Sequence, residues 1–377
     1  ITYRELRLLE IEILKILFRG EYGIIQHGVD TYCKVNVDRF FGIEIEDFAA
    51  QIAQVAMWLM DHQMNQKISQ EFGEYFVRLP LKKSATIIQD NALRTHWKSI
   101  VQVLPWEAKT DSGLFDYIYG NPPFIGYSLQ NKQQKEDLKA VINNTEGVGV
   151  LDYVTGWYFK AADYISNTKT KVAFVSTNSI SQGEQPGILW NILFKKGLKI
   201  HFAHRTFKWS NEARGNAAVH VVIIGFAHFD VSKKFIFEYA FITDEPHIKQ
   251  VKNINPYLVE GKDDIILKRR KPISNVPEMV KGSQPTDGGN LLLTNEEKEE
   301  ILKNEPELSD CIRPFISARE FLNKKKRWCF WLKNVNPSVI KNSSILREKI
   351  EKVKEFRLES KKAATRKWGN FPTHFTE

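Results

Sequence analysis

The order of its apolar segments constrains this chain more than any other feature. Across residues 1–250, short apolar runs that stop at acidic or turn residues alternate with stretches of helical spacing. Residues 5–18 carry Leu6, Leu9, Ile13 and Leu17 on one helical stripe. Phe40 to Glu44 is a short apolar strand pattern, and Asp47 is placed to cap an almost wholly apolar helix over 49–60. Strands are predicted at 86–88, 114–119, 172–175, 201–207, 219–226 and 235–241, with a helix over 150–166. Such alternation with a strand-rich end predicts an open α/β sheet closed by an antiparallel edge. Beyond residue 245 prolines and glycines cluster and the apolar period fades, which puts a boundary near 245–262. Residues 1–250 then form one domain and 251–377 a linker with a smaller α+β domain, including a polar, Lys-rich helix over 338–367.

Charge is divided unevenly between these parts. Residues 1–250 hold 28 Lys and Arg against 27 Asp and Glu, whereas residues 311–377 hold 17 against 6. A near-neutral body with a basic end suggests a polyanion contact at one end, a solvated Lys-rich helical surface being the alternative. No run of 18 apolar residues occurs, which excludes a membrane-spanning helix, and the amphipathic opening stretch does not read as a signal peptide. Cys33, Cys311 and Cys329 have no close pair, against a disulfide framework or a cysteine metal site, so a reducing cytoplasm is expected. His201-x-x-His204 has no acidic or cysteine companion nearby and reads as packing, so no metal site is expected.

The sharpest motif is Asn121-Pro122-Pro123-Phe124, a turn at the end of the strand pattern 114–119. An exocyclic amine on a heteroaromatic base is a poor nucleophile because its lone pair is delocalised into the ring. The Asn121 side-chain carbonyl and the Pro122 backbone carbonyl can accept its two hydrogens and aim the lone pair at a methyl donor. The prolines fix φ and stiffen the turn, and Phe124 can stack on an extruded base. A rigid strand-end turn with an incidental aromatic is the other reading of these four residues.

At this turn the chain resembles the amino-group DNA methyltransferases, the N6-adenine class in particular. The blocks FFGIEIEDFAAQIAQVAMWLMDHQMN, DNALRTHW, LDYVTGWYFKAADYI, FKWSNEARGNAAVHVVIIGF, INPYL, GSQPTDGG and RPFISAREFLNKKKRWCFWL are similar, in order, to those of the MmeI-type (type IIL/IIG) combined restriction–modification enzymes. The resemblance implies a Rossmann-like class I S-adenosylmethionine-dependent methyltransferase sheet, followed by the start of a DNA target-recognition domain. It further implies site-specific methyl transfer to adenine N6 in duplex DNA by base flipping. Asn121, Pro122, Pro123 and Phe124 are then the catalytic turn. Glu44, with Ile45 beside it, would take the cofactor's ribose hydroxyls, Glu46 being the alternative. Asp90, Asn91 and Ala92 would meet the cofactor's adenine, with the amine contact falling to Asp90 or Asn91 and an Asx turn as the plain alternative. Phe207 or Trp209 would sandwich the flipped adenine opposite Phe124, unless either is core packing. Asp152, in LDYVTGW, is either structural or part of the pocket wall.

The family's glycine-rich loop after the first strand is missing here, since Gly147-Val148-Gly149 follows no strand. The resemblance therefore places that strand and loop upstream of Ile1, and the rest of the recognition domain and any nuclease elsewhere on the same full-length chain. In the basic end, Lys324, Lys325, Lys326 and Arg327 are expected to bind DNA beside Trp328 and Trp331, with Arg313 and Arg319 near them. Arg269 and Arg270 are further phosphate candidates near the junction. Two other functions compete: a non-catalytic DNA-specificity module, and a protein-glutamine or RNA methyltransferase with a similar turn.

Overall fold

A computed structural model describes residues 1–19, 32–72, 84–102, 114–142, 147–209, 219–241, 245–269, 271–278 and 281–376. The chain divides into two compact units, Ile1–Arg269 and Arg270–Glu377.

The first unit opens with α1 (Thr2–Leu17), which packs on α2 (Asp47–Phe72) through polar side chains. The Tyr3 hydroxyl donates to Asp61 (2.5 Å), and the buried Arg7 donates to Asn65 (2.9 Å) and pairs with Glu10 (2.6 Å). A buried ion pair is stable only where its remaining donors and acceptors are matched. On its side Glu10 also accepts the Lys34 and Val35 N–H groups, whereas the buried Arg7 Nε has no partner among the described residues. This network sets the rotation of α1. Ile11 and Leu14 point inward, whereas Leu6, Leu9, Ile13 and Leu17, the stripe that periodicity assigns to the core, are exposed. α2 runs 12 residues beyond the expected end at 60, because Met64, Ile68 and Phe72 continue its buried face.

β1 (Phe41–Glu44) and β2 (Thr86–Gln89) pair in parallel with Glu44 opposite Gln89, so both finish at the same level. After α3 (Trp97–Gln102) come β3 (Tyr117–Gly120), α4 (Lys132–Ile142), α5 (Thr155–Tyr164), β4 (Lys171–Thr177), α6 (Gln185–Lys195), β5 (Lys199–Trp209), β6 (Val219–Ala227), β7 (Lys234–Glu238) and β8 (His247–Val251). Six of these strands form a mixed sheet in the order β3-β4-β6-β5-β7-β8. β3 is parallel to β4 and β5 to β7, while the other neighbours are antiparallel. β3 starts at Tyr117, three residues later than the apolar run predicts. One core is built on Val172, Phe174, Val222, Ile224 and Phe226, with Tyr158 and Phe159 of α5 and Leu189 and Trp190 of α6. Gly225 has no alternative in β6, because a Cβ there would sit 2.0 Å from the Phe202 ring.

Residues 251–269, which the change in texture groups with the smaller domain, pack on the first unit. Val251, Ile254 and Leu258 are buried in its core, Lys268 pairs with Glu184 (2.8 Å), and Lys199 pairs with Asp263 (3.2 Å). These apolar residues are too widely spaced to show a period in the sequence.

The second unit contains β9 (Leu292–Leu293), α7 (Asn295–Asn304), β10 (Ile312–Pro314), α8 (Ala318–Leu322), β11 (Trp328–Phe330), α9 (Pro337–Asn342), α10 (Ser344–Leu358) and α11 (Ala363–Lys367). Its three strands are antiparallel in the order β10-β11-β9. The single helix expected over 338–367 is three helices. At Ser343 the side chain accepts the Leu346 N–H, which caps a new helix start inside the charged run.

Arg357, on α10, is fully buried. Its Nε donates to the Thr286 carbonyl (2.9 Å), Nη1 to those of Trp368 (3.1 Å) and Phe371 (2.8 Å), and Nη2 to those of Pro285 and His374 (both 2.7 Å). All five donors of the guanidinium fork are used, joining two segments far apart in sequence. A lysine has three donors on a point charge and cannot make this pattern. Arg357→Lys should destabilise the unit by about 3 kcal/mol and remove hydrogen-exchange protection at 284–287 and 368–376. Unchanged exchange there would show that the fork is dispensable.

Candidate active site

Parallel pairing with β4 carries β3 to Gly120, opposite Phe174. The chain then leaves the sheet as Asn121-Pro122-Pro123-Phe124. Pro122 is buried, whereas Asn121 and Pro123 are exposed and Phe124 is half-buried. Among the described residues, no group donates to the Asn121 side chain or the Pro122 carbonyl, and the Phe124 ring has no aromatic neighbour. The turn thus carries two carbonyl acceptors with no partner among the described residues, and a half-buried Phe124 beside them.

The return leg of this loop is tied down. The Ile125 carbonyl accepts the Tyr153 N–H (2.9 Å), the Tyr127 N–H donates to Asp152 (3.1 Å), and Gln130 donates to the Leu151 carbonyl (2.9 Å). Asp152 is buried and bonded to this loop.

β1 ends at Glu44, and Asp90 follows the last residue of β2, its N–H donating to the Glu44 carbonyl (2.9 Å). Glu44 is half-buried and accepts the Glu46 N–H (3.1 Å), while Ile45 is 59% exposed. The exposed Asp90 accepts the Thr95 hydroxyl (2.7 Å) and the Asn91 N–H (2.7 Å), and these bonds hold its carboxyl below the usual range. Asn91 is committed inward. Its amide donates to Asp137 (3.0 Å) and its carbonyl accepts the Leu93 N–H (2.9 Å), so the Asx turn is real. Arg94 also donates to Asp137 (2.8 Å), which makes that buried carboxylate the anchor of the whole 90–95 turn. Nothing in the sequence distinguishes Asp137 from the other acids of a polar helix, and it was not foreseen. Ala92 is half-buried in the same turn, and its carbonyl accepts the Trp97 indole N–H (2.9 Å).

On the strand-rich side the two histidines pack, as their spacing suggests. His201 bonds the Phe229 carbonyl (2.8 Å), and His204 bonds the Tyr239 hydroxyl (2.7 Å) while stacked 4.1 Å from Phe237. Burial pushes both imidazoles below their ordinary pKa. Phe207 joins this cluster, its ring stacked 5.1 Å from Tyr239. One ring face is thus already occupied by packing. The side chain of Trp209, the last residue of β5, lies outside the described residues. Among the described residues, no group of three His, Cys, Asp or Glu side chains could hold a metal ion, and no helix is long and apolar enough to cross a membrane.

In the second unit, α8 and β11 are joined by a turn in which Lys324 has φ +53, a left-handed conformation. Lys324, Lys325 and Lys326 all stand exposed on it. Arg327 does not stand with them, being half-buried and drawn to Glu320 (3.7 Å). Trp328 lies under the Lys298 ammonium (3.5 Å) and donates to Asn295, and Trp331 packs edge-on against Phe375 (5.1 Å). Arg313 and Arg319 are exposed, as is Arg269 at the end of the first unit, whereas Arg270 lies outside the described residues.

Comparison with known proteins matches these two parts separately. The family model described as "MmeI, DNA-methyltransferase domain" covers residues 1–238, and "MmeI, target recognition domain" covers 260–377. DNA methyltransferase A of Bacillus subtilis (strain 168) is 39% identical over 381 residues, taking in all of this chain and 41% of that protein. The solved structure of the type IIL restriction–modification enzyme MmeI in complex with DNA is 49% identical, with a TM-score of 0.87 over all of this chain and 49% of that one. The chain thus spans about half, or less, of the length of these relatives. It belongs to the MmeI family, as a DNA-methyltransferase domain of mixed α/β fold followed by a target recognition domain.

Proposed function

We propose that this chain is the methyl-transfer and target-reading part of a restriction–modification enzyme that methylates adenine N6 in duplex DNA, with the target base flipped out. The observation that carries this reading is the pair of acceptors, unmatched among the described residues, where the chain leaves β3. The Asn121 side-chain carbonyl and the Pro122 carbonyl accept the two hydrogens of an incoming amine, and the prolines hold them in place beforehand. Phe124 offers its ring to the extruded base. With one face of Phe207 stacked on Tyr239, the second wall of a base sandwich falls to Trp209.

The residues present fit S-adenosylmethionine. Glu44 ends β1 and Asp90 directly follows the neighbouring parallel β2, where carboxylates can accept ribose hydroxyls and an adenine amine in a Rossmann-like class I arrangement. Asp90 takes the amine contact, because Asn91 is spent on Asp137 and Leu93. Ile45 supplies an apolar surface for the adenine ring and Ala92 a small residue beside it. When bound, the cofactor supplies an electrophilic methyl group on a sulfonium. Exposed Lys324, Lys325 and Lys326 neutralise phosphates without regard to sequence, and Arg269 is a further phosphate contact. Arg327 shapes the loop through Glu320 instead. The nuclease and the remaining recognition elements belong to the same full-length chain, acting in the cytoplasm, where Cys33, Cys311 and Cys329 stay as buried thiols.

Three measurements on the protein that carries this chain test the reading. Asn121→Ala should lower transfer of labelled methyl to duplex DNA about 100-fold or more without changing the melting temperature. Retained transfer would remove Asn121 from the mechanism. Asp90→Ala should raise KM for the donor about tenfold with little change in kcat, and an unchanged KM would return the contact to Asn91. Replacing Lys324, Lys325 and Lys326 by Gln should make the slope of log binding constant against log salt shallower by about 0.9 for each lysine on a phosphate. A slope that does not move would place the basic turn off the DNA.

A further inference from the structure

The Asp152 carboxylate gathers three donors from two parts of the chain. Oδ1 accepts the Tyr127 N–H (3.1 Å), while Oδ2 accepts the hydroxyls of Ser179 (2.5 Å) and Thr177 (3.1 Å). The two hydroxyl oxygens also lie 2.7 Å apart, and since each carries one proton, the Thr177 hydroxyl is shared between Ser179 and Asp152. The residue is only 6% exposed, and among the described residues no cation pairs with it. Its backbone is fixed as well, the N–H donating to Gln185 (3.1 Å) and the carbonyl accepting the Thr155 hydroxyl (2.7 Å).

A buried carboxylate without a counter-charge is costly and is tolerated only where hydrogen bonds replace the lost water. What those bonds join is informative. Thr177 ends β4, Ser179 comes two residues later, and Tyr127 lies on the return leg of the Asn121–Phe124 turn. β4 is also the strand that pairs with β3 and delivers the outgoing leg at Gly120. The outgoing leg is thus set by the body of β4, and the return leg is tied by Asp152 to the end of the same strand. Tyr153 adds a second tie at Ile125, leaving the four residues between Gly120 and Ile125 suspended from one rigid element.

Resting on the methyl-transfer reading above, we infer that Asp152, with Ser179 and Thr177, is a positioning device that sets where the Asn121 and Pro122 acceptors meet the amine. It touches neither base nor donor. Its removal lets the return leg drift, and a displacement of about 1 Å at a reacting centre costs about 100-fold in rate. The effect belongs in the chemical step, because Glu44, Asp90 and the basic turn are untouched.

The test is single-turnover methyl transfer at saturating donor and duplex DNA, in the protein that carries this chain. Asp152→Ala is expected to slow transfer about 100-fold while dissociation constants for DNA and donor stay within twofold. Asp152→Asn keeps an acceptor for the Tyr127 N–H and should recover much of the rate. Ser179→Ala, which leaves the carboxylate in place, should give a smaller loss. Should Asp152→Ala melt early, Asp152→Asn and Ser179→Ala decide the matter. Full rates in both would overturn the inference, as would a loss of DNA or donor binding matching the loss of rate. Asn121→Ala serves as the reference. If it is inactive while the Asp152 variants are at full rate, only the positioning role fails. If Asn121→Ala itself transfers methyl normally, the reading of the turn fails, and the positioning role with it.

Discussion

Parallel pairing of Tyr117–Gly120 with Lys171–Phe174 decides where the catalytic candidates stand. β3 has a partner on one side only among the described strands, and its ladder stops at Gly120. The next four residues include two prolines, which have no N–H to donate and cannot extend the sheet. The chain is therefore forced off the strand end, and the Asn121 side-chain and Pro122 carbonyls have no partner among the described residues. An acceptor that is stiff and unmatched before its ligand arrives needs no reorganisation at the moment of reaction. An Asn121 side chain satisfied within the protein would leave the same four letters chemically silent.

Buried polar groups elsewhere share one pattern, in which an ionisable side chain holds irregular backbone that cannot hold itself. Asp137 anchors the 90–95 turn through Asn91 and Arg94, and Arg357 collects five carbonyls from two segments of the second unit. Glu10 accepts two backbone N–H groups while pairing with Arg7. Regular strands and helices satisfy their own backbone, so an α/β body with functional loops at strand ends needs such tethers at those loops. Their charge is thus not spare charge on the surface. Lys324, Lys325 and Lys326, by contrast, stand exposed on the surface.

Most of the sheet was legible in the residues. Segments around 41–44, 86–89, 171–177, 199–209 and 219–227 are apolar, β-branched or aromatic runs bounded by polar residues, and each became a strand. The strand β8 (His247–Val251) was not foreseen, because four of its five residues are exposed at the sheet edge and carry no apolar pattern. The stripe of Leu6, Leu9, Ile13 and Leu17 failed for a different reason. Periodicity identifies an apolar face but not what lies against it, and the Tyr3–Asp61 and Arg7–Asn65 bonds turned the other face inward. The break at Ser343 was likewise hidden in a run whose composition suits one long helix.

The sequence by itself determined the class of the sheet, the position of the Asn121–Phe124 turn and the basic character of the last part of the chain. Each is a local property, set by residue type and short-range spacing. Tertiary structure alone decided which of Asp90 and Asn91 faces outward, that Phe207 is packed against Tyr239, and that Asp152 is bonded to the return leg of the turn. Those outcomes depend on partners up to 46 residues away, and the pairing of one carboxylate or ring with another element leaves no trace in local order. A side chain's chemistry is written in its letter, but its availability is set by what the fold brings against it.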